Sequence, residues 1–136
     1  MNSLAHIEIN VKDLKNSAAF WAKFLQKLEW KQFEVGHQSV TGFEGPDQAH
    51  VFLVQTESCF LDAKFHRKQV GLNHVAFRVD SVEKVDEFAN FLKANNISIL
   101  YGDGPKDYSS EYGREKYYAV FFEDPDRIKI EVVFYK

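Results

Sequence analysis

The sequence contains the same strand pattern twice, and this repeat limits what the chain can fold into. The segments SLAHIEINVK (residues 3–12) and GLNHVAFRVD (residues 71–80) align at an offset of 68 residues, so that His6 matches His74. In both copies apolar residues alternate with polar ones, which is typical of a β-strand with one buried face. We therefore expect a fold built from two similar modules.

The repeat continues beyond these strands. Residues 13–28 and 81–96 both have an amphipathic helical pattern, with Asp13 before the first helix and Asp80 or Ser81 before the second as candidate N-caps. FEGPDQAHVFLV (43–54) and FEDPDRIKIEVV (122–133) then align at an offset of 79 residues, so the second half holds eleven additional residues. The segment YGDGPKDYSSEYGREK (101–116) is predicted to be a long loop in the position of a substrate lid.

These patterns predict an α+β fold made of two tandem βαβββ modules in a single domain. Module one covers about residues 1–60, a polar connection covers 61–70, and module two covers about 71–136. A chain of 136 residues is long enough to bury one ordinary hydrophobic core.

Composition excludes several classes of partner. The net charge is −3 and the basic residues are scattered, so we expect no nucleic acid surface. The single cysteine, Cys59, allows no intrachain disulfide, and no apolar run approaches the length of a membrane span. We expect a soluble, cytoplasmic protein that does not bind membranes.

The strand pattern also predicts which side chains share a face. Residues two apart point the same way, so the apolar set of each strand packs on its helix and the alternate set faces away from it. This alternate set contains His6 and Glu8 in the first strand, His74 and Arg78 in its copy, and Glu131 in the last strand. His6, His74 and Glu131 are therefore predicted to share one concave surface.

Two imidazoles and one carboxylate on rigid strands suit a divalent transition metal with open coordination positions. Fe, Mn, Zn, Ni and Co all fit this ligand set. A single histidine at a strand start is more often a surface or core residue. The same register in both copies, together with the glutamate, favours a metal site.

At GLNHVAFRV and FFEDPDRIKIEVV the sequence resembles the vicinal oxygen chelate superfamily, and the similarity extends over essentially the whole chain. This superfamily includes glyoxalase I, fosfomycin-resistance thiol transferases, methylmalonyl-CoA epimerase, extradiol dioxygenases and bleomycin-resistance proteins. The chain is most similar to uncharacterised bacterial glyoxalase-like proteins. The resemblance implies an incomplete eight-stranded barrel around a divalent metal, with His6, His74 and Glu131 at the ligand positions, and a homodimer.

The chain departs from some family members near the site. The fourth ligand position of glyoxalase I falls on Phe52, which cannot bind a metal; His50 lies near and on the same predicted face, and a role for it as fourth ligand is left open. Glu8 stands where fosfomycin enzymes carry a small hydroxyl residue, and Phe121 stands where they carry a tyrosine. The apolar Phe52 favours a three-ligand site, whereas Glu8 and Phe121 are departures from the fosfomycin enzymes.

The resulting hypothesis is a metal-dependent enzyme that chelates a small oxygenated substrate through two of its oxygens. Lyase, isomerase, thiol transferase and dioxygenase chemistry all remain open. The candidate catalytic residues are Glu8, as acid or base, and Tyr117, and the candidate substrate-binding residues are Arg78, Arg114 and Phe121. Glu8 as an exposed carboxylate or a partner of Arg78 is an equal alternative. The rival function is a metal-free binding protein of the bleomycin-resistance kind.

Overall fold

The protein is described here by a computed structural model covering residues 3–136. The chain divides into two compact units, of which the first ends at Lys64 and the second runs from Phe65 to Lys136. Each unit contains one four-stranded sheet. Within residues 3–136, no helix has both the length and the apolar character needed to span a membrane.

The first unit begins with a strand and a helix and continues with three antiparallel strands. Its elements are β1 (His6–Val11), α1 (Leu14–Lys27), β2 (Lys31–Phe33), β3 (Val40–Glu44) and β4 (His50–Gln55), followed by a 3-10 turn (Ser58–Phe60). The sheet order is β1-β4-β3-β2, and β1 is parallel to β4. This is one βαβββ module.

The second unit repeats this topology. Its elements are β5 (Val75–Arg78), α2 (Val82–Ala94), β6 (Lys106–Asp107), α3 (Ser109–Tyr112), β7 (Tyr117–Glu123) and β8 (Lys129–Tyr135). The order β5-β8-β7-β6, with β5 parallel to β8, matches the first sheet. The predicted α+β fold of two tandem βαβββ modules is confirmed, and neither sheet of the described residues closes into a barrel.

Both long helices begin directly after a residue that was predicted as a candidate N-cap. The Asp13 carboxylate accepts a hydrogen bond from the Asn16 amide at 3.0 Å. The Ser81 hydroxyl accepts one from the Lys84 amide at 3.3 Å, so Ser81 rather than Asp80 caps α2. Each cap satisfies an amide of the first turn that has no partner inside the helix.

The segment 101–116 is more ordered than the predicted loop, because it contains β6 and α3. Asp107 binds both the Ser109 amide, at 2.9 Å, and the Lys116 ammonium, at 2.5 Å. The Ser109 hydroxyl in turn accepts a hydrogen bond from the Tyr117 amide at 2.9 Å. These short-range polar contacts have no signature in hydrophobic periodicity, which explains why the pattern predicted only a loop.

Each sheet buries one face against its own helix. In the second unit Val85, Phe88 and Leu92 of α2 are fully or almost fully buried, and the ring of Phe88 lies 5.6 Å from that of Phe122 on β7. In β8, Ile130 and Val132 belong to this helix side. The alternate residues of β8 therefore lie on the other face of the sheet, as the period of two requires.

Each module has the same kind of turn before its last strand, and this turn sets the register of that strand. The amide of Gly45 bonds to the carbonyl of Ala49 at 2.9 Å, and the amide of Asp124 bonds to the carbonyl of Ile128 at 3.0 Å. Gln48 and Arg127, which are equivalent in the repeat, have φ values of 66° and 65°. Because both turns have the same geometry, β4 and β8 start in the same register, and Phe52 becomes the equivalent of Glu131.

Replacing Arg127 by glycine should stabilise the protein, because the left-handed conformation costs an L-residue roughly 1–2 kcal/mol that glycine avoids. Arg127→Ala is the matched control, since it removes the same side chain and keeps Cβ. We expect Arg127→Gly to have a free energy of unfolding about 1 kcal/mol above that of Arg127→Ala in urea denaturation. If the alanine variant is as stable as the glycine variant, the left-handed conformation at position 127 is not strained, which would contradict this explanation.

Candidate functional site

The centre of the candidate site is a buried carboxylate. Glu131 lies in the middle of β8, on the face opposite α2, and its side chain has no exposed surface. In the sheet it is paired with Ala76 of β5 and with Phe121 of β7. Because an ionised carboxylate without compensating partners is costly to bury, the groups around its two oxygens decide what the site can do.

One oxygen of this carboxylate is held by Tyr117. The Tyr117 hydroxyl donates a hydrogen bond to Glu131 Oε1 at 2.8 Å. Burial, and then this hydrogen bond, raise the pKa of the Tyr117 phenol above its ordinary value. Tyr117 therefore keeps its proton at neutral pH and fixes the orientation of the carboxylate.

The other oxygen faces a histidine without a hydrogen bond. His74 Nε2 lies 2.9 Å from Glu131 Oε2, yet the approach lacks hydrogen-bond geometry, and Oε2 has no hydrogen-bond partner within residues 3–136. His74 Nδ1 lies 2.6 Å from Asn73 Oδ1. An amide oxygen only accepts, so the ring hydrogen belongs on Nδ1, and Nε2 of the neutral imidazole then carries a lone pair.

A lone pair on Nε2 and an anionic oxygen 2.9 Å away repel each other unless a positive charge lies between or beside them. Two ligands that bind one cation at about 2.1 Å and a right angle have donor atoms about 3 Å apart, which agrees with the observed separation. The asparagine behind the histidine and the tyrosine behind the carboxylate are the supports that metal ligands usually have. His74 and Glu131 therefore fit two ligands of a divalent cation.

The third predicted ligand, His6, belongs to the first unit. It is exposed at the start of β1, where it is paired with His50 of β4, and the edge of its ring packs on Phe52 at 5.5 Å. Across the described residues 3–136, no group of three or more His, Cys, Asp or Glu side chains is placed to hold a metal. The structure thus brings together His74 and Glu131 of the predicted set.

The first unit has an aromatic cluster where the second unit has its carboxylate. Phe52 is paired with Glu8 across β1 and β4, just as Glu131 is paired with Ala76. The ring of His50 stacks on Phe52 at 5.9 Å, and His50 Nε2 contacts Glu44 Oε2 at 3.1 Å. The residue at the position of the fourth glyoxalase I ligand is therefore apolar, and the imidazole of His50 is engaged with Glu44.

Glu8 and Phe121 lie on the predicted faces of their strands. Glu8 is exposed on β1, on the side of His6 and away from α1. Phe121 is only 5% exposed and lies beside the buried pair, with its ring centroid 6.1 Å from that of His74 and 5.7 Å from that of Tyr108. It forms an apolar wall next to the carboxylate.

Two arginines flank the far end of the same face. The Cζ atom of Arg78 lies 4.2 Å from the ring centroid of Tyr135, and that of Arg114 lies 4.3 Å from the same centroid. Tyr135 stacks on Tyr117 at 5.9 Å with nearly parallel rings. The predicted substrate residues Arg78 and Arg114 are thus brought together, one from β5 and one from the segment after α3.

Sequence reasoning assigned no role to three side chains of this face. Asn73 directly precedes His74, Tyr135 lies four residues after Glu131 on the same strand face, and the Lys129 ammonium lies over the rings of Phe121 and Tyr101. The period of two identifies Lys129 and Tyr135 as neighbours of Glu131 along the strand. The only sequence signal for Asn73 is that it directly precedes the predicted ligand His74.

Comparison with known proteins agrees with the fold. The family model of the glyoxalase/bleomycin resistance protein/dioxygenase superfamily matches residues 3–132. The uncharacterised protein YqjT of Bacillus subtilis is 38% identical over 128 residues, which cover 94% of this chain and 95% of that protein.

Two solved structures extend the comparison. The crystal structure of a candidate glyoxalase from Bacillus halodurans has a TM-score of 0.80 and 39% identity, and the match covers 96% of this chain and 94% of that one. Lactoylglutathione lyase from Agrobacterium tumefaciens, at 20% identity, has a TM-score of 0.72 over 98% of this chain and 94% of its own, and shares the fold. This chain therefore belongs to the glyoxalase/bleomycin resistance protein/dioxygenase superfamily.

Proposed function

We propose that this protein is a divalent-metal-dependent enzyme that acts on a small oxygenated substrate by chelating two of its oxygens. His74 and Glu131 are two ligands of the metal, and His6 is the third ligand that the repeat predicts. The observation that carries the proposal is the buried Oε2 of Glu131, which has no hydrogen-bond partner among residues 3–136 and lies 2.9 Å from His74 Nε2.

A divalent cation held by these residues would act as a Lewis acid and as a template for the substrate oxygens. The side chains around it have separate tasks. Tyr117 keeps its proton and holds Oε1 of Glu131, so the other oxygen stays directed toward His74. Asn73 keeps the hydrogen of His74 on Nδ1, which leaves Nε2 free to bind.

The wall beside the ligands favours a partly apolar substrate. Phe121 is buried against Tyr108 and Tyr117, and this cluster covers the face of the second sheet on one side of Glu131. Apolar walls exclude water and so strengthen electrostatic interactions at the metal. Glu8 remains the proposed acid or base, because it is an exposed carboxylate on the ligand strand β1.

Three protein ligands leave more positions open for substrate than the four of glyoxalase I. Phe52 occupies the position that is equivalent to Glu131, and the imidazole of His50 on the same strand contacts Glu44. This favours dioxygenase, thiol transferase or related chemistry over that of glyoxalase I. A homodimer and a cytoplasmic location stay predictions of the sequence.

A metal-free binding protein of the bleomycin-resistance kind is the second candidate. The observation in its favour is the aromatic cluster of the first unit, where the rings of Phe33, His50 and Phe52 pack together without a carboxylate equivalent to Glu131. Such a surface suits an apolar ligand. Metal content distinguishes the two functions.

Removal of either His74 or Glu131 should abolish metal binding. We expect wild-type protein, dialysed against Mn, Fe, Co, Ni or Zn separately, to retain about one equivalent of at least one metal, and His74→Ala and Glu131→Gln to retain almost none. His6→Ala tests the third ligand and should lower the affinity strongly. Metal content is read by mass spectrometry of the eluted protein.

His66→Ala is the matched control for this experiment, because His66 is an exposed histidine of the same unit and its Nδ1 accepts a hydrogen bond from the Lys68 amide at 3.1 Å. It should bind metal like the wild type. If the wild type and His74→Ala both retain negligible metal, the proposal of a metal-dependent enzyme is rejected, and the metal-free binding protein is the remaining candidate.

Removal of the Tyr117 hydroxyl should weaken metal binding without abolishing it. In Tyr117→Phe the carboxylate loses the donor at Oε1 that fixes its direction, and such supporting groups typically contribute a factor of about 10–100 in affinity. Tyr118→Phe is the matched control, because the Tyr118 hydroxyl binds Asp86 at 2.8 Å on the helix side of β7. Competition with a chromophoric chelator measures both affinities, and an equal effect of the two substitutions would contradict the role of Tyr117.

A further inference from the structure

The four arginines of the chain fall into two groups with different partners. Arg67 and Arg127 both bind Glu123, Arg67 directly through Nη1 and Arg127 through Nε at 3.6 Å. Arg78 and Arg114 form no ion pair with any carboxylate of residues 3–136. Neither guanidinium therefore lies within ion-pair distance of a carboxylate among these residues.

These two arginines are nevertheless held in defined places. Arg78 lies at the end of β5, and its Nη2 donates a hydrogen bond to the Tyr135 carbonyl at 3.2 Å. The Arg114 amide bonds to the Ser109 carbonyl at 3.0 Å, after Gly113 has turned the chain with a φ of 60°. A strand and a closed turn thus position both side chains before any ligand arrives.

Both positive charges lie beside the same aromatic ring. Both Cζ atoms lie within 4.3 Å of the centroid of the Tyr135 ring. Attraction to the π-electrons of tyrosine holds each guanidinium at the ring, no more than about 8.5 Å from the other. Like charges at this separation repel each other, and an anion that contacts both guanidiniums would offset this repulsion. Asp80, two residues after Arg78, attracts it only over a longer distance, because its ion pair is with Lys84 at 2.7 Å.

Tyr135 connects this pair to the buried carboxylate. Its ring stacks on Tyr117 with an angle of 11° between the planes, and the Tyr117 hydroxyl binds Glu131. Tyr135 and Glu131 lie on the same face of β8, four residues apart, which corresponds to about 13 Å along a strand. A ligand that extends along β8 can therefore reach both places.

We propose that Arg78 and Arg114 bind an oxyanion group, a carboxylate or a phosphate, that the substrate carries several bonds away from the oxygens it presents at Glu131 and His74. That this anion belongs to a substrate rests on the function proposed above. Binding of the anion by the two arginines does not require a metal. The guanidinium group matches both oxyanions, because its planar fork donates two parallel hydrogen bonds. The substrate class is thus an oxygenated small molecule with an anionic end.

The test uses metal-free protein and simple anions. Wild type, Arg78→Gln and Arg114→Gln are titrated with inorganic phosphate and with succinate in the presence of a chelator and at low ionic strength, and binding is followed by calorimetry. We expect millimolar binding of at least one anion by the wild type, and an affinity at least fivefold weaker in each variant. The anion that binds more tightly identifies the oxyanion.

Arg127→Gln is the matched control, because it removes an equally exposed positive charge from the same unit and should change the affinity less than twofold. Wild-type protein that binds neither anion, or three variants that weaken binding equally, would overturn the proposal. His74→Ala should bind the anion like the wild type. Failure of metal binding therefore leaves this result unaffected, so the two proposals fail separately.

Discussion

The structure depends on how the buried carboxylate of Glu131 is compensated. Leaving an ion of this kind without partners inside a protein costs several kcal/mol, and the fold provides one hydrogen bond, from Tyr117, and one imidazole, from His74. The second oxygen and the histidine nitrogen both present electron pairs. Either a proton or a metal ion must lie with them, and the asparagine behind His74 holds a ring hydrogen on Nδ1 in both cases.

The duplicated module explains how such a site can form. The same turn geometry, with left-handed residues at Gln48 and Arg127, starts the last strand of each sheet in the same register. At the equivalent position one module places Phe52 and the other places Glu131. The repeat thus gives both modules the same backbone geometry at this position. The residue at this one position decides which module carries the carboxylate.

Much of this could be predicted from the sequence, because it depends on local patterns. Alternation predicted the faces of the strands, and known preferences predicted Asp13 as one helix cap and Asp80 or Ser81 as the other, of which Ser81 is the cap. The order within residues 101–116 could not be predicted, since the bonds of Asp107 and Ser109 depend on side chains that meet only after folding. The same applies to the pairing of Arg78 and Arg114 on Tyr135, which joins residues far apart in the chain.

The central claim is tested most directly by locating the cation. Crystals grown with manganese should give an anomalous difference peak about 2.1 Å from both His74 Nε2 and Glu131 Oε2. A map without a peak at this position, with His74 hydrogen-bonded to the carboxylate through a proton on Nε2, would contradict the account.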